Sequence, residues 1–93
     1  MVKIVDTQAT FDAEQARSEL LNFIVNNFMV DLEDVPLDKS LIDEGIIDSF
    51  GLVEIATFLE KAFDIKVDEE DMIRENFGSV NKLIAYVQRK REL

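Results

Sequence analysis

Ninety-three residues with a net charge of −10 and a hydrophobic fraction of 47% describe a small acidic chain that can still build a core. Cysteine and histidine are both absent, which rules out a disulfide scaffold and thiolate metal sites and removes the usual activating base of a serine nucleophile. Residues 31–76 carry 15 acids against 4 bases, whereas residues 77–93 carry 4 bases against 1 acid; a negative field of this kind repels phosphate backbones, disfavours nucleic-acid binding and attracts basic protein surfaces. The chain reads as one domain over 1–93, burying about 60–65% of its unfolded surface. Neither a secretory signal nor a membrane-inserted helix is expected, and missing cysteine fits a reducing cytoplasm. A monomer is expected, because no long exposed apolar seam is evident.

Residues 1–11 read as a loose extension: Val2-Lys3-Ile4-Val5 alternates, but no strand partner follows. Asp12 starts the first helix, with Gln15 three residues on as a capping box. Ala16, Leu20, Ile24 and Phe28 recur every four residues, Leu21 and Phe23 widen the stripe, and the helix is expected to end near Phe28 or Met29. From Val30 to Asp48 no period persists. Pro36 interrupts, Asp38 and Ser40 form turns, and Gly45 permits a left-handed backbone. Leu32, Val35, Leu37, Leu41, Ile42, Ile46 and Ile47 imply that this long loop packs down onto the body.

A second helix follows from Ser49 to Phe63, with Leu52, Ile55, Ala56, Leu59 and Phe63 on one face; Asp48 or Ser49 caps it. Asp64 to Val67 forms a short extended link. Asp68, Glu69, Glu70 and Asp71 crowd the start of a short third helix, where the dipole favours acids. Met72 and Ile73 anchor it, and Phe77-Gly78 closes it. Ser79 caps the last helix, whose stripe is Val80, Leu83, Ile84 and Val87 and whose end carries Arg89, Lys90 and Arg91. The fold class is all-α: a small bundle of three main helices plus one short helix, with a long loop between the first two.

Ser49 is the residue with chemistry to explain. It stands at a helix start in acidic surroundings, and no base is available to make it a nucleophile. It therefore reads as a hydroxyl that another enzyme modifies, the alternative being a plain helix cap.

Glu44-Gly45-Ile46-Ile47-Asp48-Ser49 before a helix, with the later Phe77-Gly78-Ser79-Val80 and Ile84-Ala85-Tyr86-Val87, resembles the acyl carrier protein family from Asp12 to Arg91. The resemblance implies that Ser49 carries 4′-phosphopantetheine, installed from coenzyme A by a phosphopantetheinyl transferase, and that Asp48 helps organise that enzyme's magnesium. It implies as partners a ligase that loads an acyl or aminoacyl group and enzymes that process it, and no catalysis by the chain itself. Phe50 stands where these carriers usually have Leu or Met, and Gly51 and Lys61 stand where fatty-acid carriers commonly have acids. Gly45-Ile46-Ile47-Asp48-Ser49-Phe50-Gly51 is closer to D-alanyl and standalone peptidyl carriers.

A phosphodiester on Ser49 would lie beside the open amides and positive dipole end of the second helix. Asp48 opposes it through a screened like charge, so an acid there makes sense as a contact for a cation the modifying enzyme brings. Phe50 and Val53, off the core face and flanked by Asp48, Glu54 and Glu60, form a candidate docking patch for partner enzymes. Gly51 is expected to leave room for the arm or a partner backbone. The competing function is an acidic interaction module that uses Ser49 only as a cap. The Asp68–Asp71 run lacks the alternating ligands of a calcium loop and reads as surface acids.

Overall fold

Four α-helices and two 3₁₀ turns account for residues 11–92, which are those the computed structural model describes; the rest of the expected N-terminal extension lies outside them. Helix α1 (Ala13–Phe28) begins at Asp12, whose Oδ1 accepts the amides of Glu14 and Gln15 at 3.1 and 3.2 Å. Only this half of the capping box forms. The Gln15 side-chain amide donates to Glu19 at 3.1 Å instead, a partner one turn along that competes for it. Ala16, Leu20 and Ile24 are buried, as their spacing predicts.

The connection to the second helix is mostly irregular, with a 3₁₀ turn at Leu32–Asp34. Of the seven apolar residues expected to pack down, Val35, Leu41 and Ile47 are buried and Ile46 is half-buried, but Leu32, Leu37 and Ile42 stay exposed. The cause is local. The Leu41 carbonyl accepts the amides of Ile46 and Ile47 at 2.9 and 3.3 Å, curling the chain round Gly45 at φ +77°. That curl buries Leu41 and Ile47 and leaves Ile42 on the outside. Asn81 ties the loop down: its backbone amide donates to the Leu37 carbonyl at 3.0 Å and its side-chain amide to Asp38 at 2.6 Å, while its oxygen accepts from Arg17 Nε at 3.0 Å.

Helix α2 (Ser49–Phe63) ends at Asp64 in the left-handed region, which Asp tolerates better than most residues. The expected third helix is broken in two. A 3₁₀ turn covers Glu69–Asp71, and helix α3 holds only Arg74–Phe77. Phe77 is buried and Met72 half-buried, but Ile73 faces solvent. Asp71 is no mere dipole complement: it accepts the Tyr86 hydroxyl at 2.8 Å, and Lys90 Nζ lies 3.5 Å from Asp71 and 3.7 Å from Asp68. Burial first, and then this bond to Asp71, push the Tyr86 phenol above its ordinary range.

Helix α4 (Val80–Glu92) starts from Ser79, whose hydroxyl accepts the Lys82 amide at 3.1 Å. Its Val80, Leu83, Ile84 and Val87 meet the buried faces of α1 and α2 in one core. Arg91 reaches back to the carbonyl of Phe63 at 2.8 Å, joining the ends of α4 and α2. Along the α1–α2 seam, Phe11, Phe63, Phe58, Phe23 and Phe28 form a run of rings with successive centroids 6.3, 6.1, 4.4 and 6.1 Å apart. Each such ring pair adds about 0.5–1.5 kcal/mol beyond its area burial. No helix among the described residues is long and apolar enough to cross a membrane.

Candidate functional site

The α2 N-terminus is where the loop curl, the end of α1 and the acidic chain converge. Asp48 is in extended backbone and its Oδ1 accepts the Gly51 amide at 2.9 Å, while its carbonyl accepts the Leu52 amide at 3.2 Å. Asp48 is therefore the cap. Ser49 is the first helical residue, exposed, and its hydroxyl makes no hydrogen bond among the described residues. With one orphan donor taken by Asp48, the amides of Ser49 and Phe50 remain at the helix mouth without a protein acceptor among those residues. An exposed hydroxyl beside open amides and a positive dipole end suits a group that carries a phosphate.

Gly51 is the residue that lets the loop come this close. A Cβ there would stand 2.8 Å from the Ile47 Cβ and 3.1 Å from the Phe28 ring, and the residue is buried. The expectation that Gly51 makes room for an arm or a partner is thus corrected: its missing side chain is filled by the protein's own Ile47 and Phe28. The contact seats the residues leading into Asp48 against the end of α1. A recess of about 410 Å³ lined by Phe28, Gly45, Ile46, Ile47 and Asp48 lies alongside.

Phe50 and Val53 project from α2 at 79% and 55% exposure, and Glu54 is exposed next to them. Glu60 differs. It is half-buried, and its carboxylate accepts the Val67 amide at 2.8 Å, holding the link after α2 in place. The structure thus brings Asp48, Ser49, Phe50, Val53 and Glu54 to one exposed end and gives Glu60 a bond of its own. Asn81 was not singled out from the sequence, because its partners lie 43 and 64 positions away. No group of three or more acidic, histidine or cysteine side chains gathers to hold a metal ion among the described residues.

Comparison with known proteins matches residues 18–87 to the family described as "Phosphopantetheine attachment site". The chain belongs to that family. The carrier is 40% identical over 68 residues to the D-alanyl carrier protein of Streptococcus mutans, covering 73% of the carrier and 85% of the relative. The D-alanyl carrier proteins of Streptococcus sanguinis and Streptococcus gordonii are each 35% identical over 75 residues, covering 81% of the carrier and 94% of the relative. The carrier bears a covalently attached 4′-phosphopantetheine and serves in acyl or aminoacyl transfer. An exposed hydroxyl and helix-mouth amides that have no acceptor among the described residues fit that group. When bound it supplies the thiol that the chain, without cysteine, lacks.

Proposed function

We propose that Ser49 Oγ is the attachment point, that the arm's thiol carries a D-alanyl thioester, and that Asp48 contacts the magnesium of the modifying transferase. One observation carries the first assignment: Asp48 has taken over capping, and the exposed Ser49 hydroxyl makes no hydrogen bond among the described residues. The transfer forms one phosphodiester at Ser49 Oγ, breaks the pyrophosphate bond of coenzyme A, releases adenosine 3′,5′-bisphosphate and passes the Ser49 proton to a base of the transferase. The D-alanyl cargo is supported by the relatives and by the Gly45-to-Gly51 motif.

The carrier makes no bonds itself. Its tether raises the local concentration of the thioester, and surface contacts choose the enzyme that receives it. Its partners are a phosphopantetheinyl transferase, an adenylate-forming D-alanine ligase and the enzymes that consume the loaded arm. Phe50, Val53 and Glu54 provide the contact patch, with acids of the long loop steering basic surfaces toward it. It acts as a cytoplasmic monomer, where coenzyme A and the ligase's nucleotide are supplied.

Incubation with coenzyme A, magnesium and a broad-specificity transferase, followed by intact mass, tests the attachment. A gain of one phosphopantetheinyl group that disappears in Ser49→Ala is expected. No gain, or a gain that survives the substitution, rejects the assignment.

A further inference from the structure

Between α1 and α2 lies a surface groove of about 400 Å³ lined by the stacked pair Phe23 and Phe58, ring centroids 4.4 Å apart, together with Val53, Asn27, Thr57, Glu54 and Lys61. We infer that this groove seats an apolar side chain of the enzyme that loads D-alanine, and that Lys61 pairs with an acid beside that side chain. The inference rests on the D-alanyl reading above and extends the docking surface from α2 onto α1.

Three observations carry it. First, the groove continues the exposed apolar patch, because Val53, 55% exposed, lines it and Phe50, 79% exposed, lies one turn away. Second, two of its polar side chains already hydrogen-bond to their own helices. Thr57 Oγ1 donates to the Val53 carbonyl at 3.1 Å, and Asn27 Nδ2 donates to the Phe23 carbonyl at 2.8 Å. An apolar group can enter without stripping those donors of their partners.

Third, the charges specify the occupant. Glu54 and Lys61 stand two turns apart on one exposed face, and neither is in an ion pair within 4 Å among the described residues. Between Asp31 and Lys61 the only other base is Lys39. A surface that reads this acidic stretch with basic residues alone meets repulsion at Lys61, so the complement is a basic surface with one acid set against it. The carrier's own arm is a poor occupant. At 100° per residue, Thr57 and Lys61 lie between about 80° and 120° round the helix from Ser49.

The test uses the full chain converted to the phosphopantetheinylated form, confirmed by mass, with an adenylate-forming D-alanine ligase, ATP and D-alanine. Initial rates of thioester formation are measured against carrier concentration. Thr57→Trp fills the groove from an exposed position and is expected to raise KM roughly tenfold with kcat little changed. Lys61→Glu is expected to raise KM several-fold at low salt and less at high salt. Lys66→Glu makes the same change in net charge at an exposed position outside the groove and is expected to leave KM near that of the parent. Lys61→Glu keeps the test decisive even if the tryptophan unsettles the fold. A folded Thr57→Trp with parental KM, or equal shifts in the two lysine variants, overturns the inference. A parent chain that is never loaded overturns the D-alanyl reading and this inference together, and leaves the attachment at Ser49 standing on its mass.

Discussion

Gly51→Ala sets two effects of opposite sign against each other at the site itself. Inside a helix the change ordinarily stabilises by about 1 kcal/mol, and by less in a first turn. Here the added Cβ stands 2.8 Å from the Ile47 Cβ and 3.1 Å from the Phe28 ring. A Cβ is fixed to its backbone, so Ile47 cannot turn a side chain away; the loop itself has to move. Overpacking of this kind costs about 1–3 kcal/mol. The net expectation is a loss of about 1 kcal/mol, equivalent to roughly 4–8 °C in midpoint for a domain of this size. Urea unfolding followed by far-ultraviolet circular dichroism measures it. Ile47 immediately precedes Asp48, so the same displacement should slow modification by the transferase in the folded variant. A Gly51→Ala protein as stable as the parent, or more so, would refute the packing account of this glycine.

Asp48→Asn keeps a capping oxygen and should change stability by only a few tenths of a kcal/mol, whereas Asp48→Ala should lose about 1 kcal/mol. Both should slow modification if the charge serves the transferase, and an Asn variant modified at the parental rate would remove that role. Glu60→Gln should leave association with the ligase unchanged, since its carboxylate already holds the Val67 amide, while Glu54→Lys should slow association, most at low salt. Stopped-flow association rates at two ionic strengths separate these outcomes. Tyr86 is the chain's only tyrosine and there is no tryptophan, so ultraviolet absorbance reads its titration directly. Its pKa is raised on folding, chiefly by burial. The stability it contributes is therefore complete below the ordinary tyrosine range and is lost as pH rises through the folded-state value. Tyr86→Phe should flatten that alkaline loss, and an unshifted phenol titration would contradict the burial of Tyr86 and its bond to Asp71.

The features legible in the sequence are those whose causes lie within a few residues. Asp12 and Ser79 cap the helices they precede, Gly45 adopts the positive φ its type permits, and the i, i+4 rows of α1, α2 and α4 face the core. The Asp48-Ser49 pair belongs to this class, since its cap and its exposed hydroxyl follow from neighbours within three residues. The features that depart from the sequence pattern depend on partners remote in the chain. Four acids in a row look like a helix start, yet Asp71 is committed to Tyr86 and Lys90 on α4, and the segment forms a 3₁₀ turn instead. A glycine in a first turn looks like space for a ligand until Ile47 and Phe28 are seen to fill it.

Glu54 and Glu60 make the same point for function. Both are acids on one helix, and their spacing alone puts them within about 120° of each other. Tertiary structure then divides them, because the link at Val67 passes close enough to Glu60 to engage it, whereas Glu54 accepts no hydrogen bond and joins no ion pair among the described residues. On the proposed assignment, the residue that receives the arm is encoded in a short local motif, whereas those that choose the enzyme are defined by which neighbours the fold supplies. A carrier can on this account keep its attachment motif unchanged while a few exposed positions on α1 and α2 redirect it to a different loading enzyme. Transplanting Asn27, Thr57 and Lys61 should then carry ligase preference from one carrier to another, with the rate of phosphopantetheinylation left where it was.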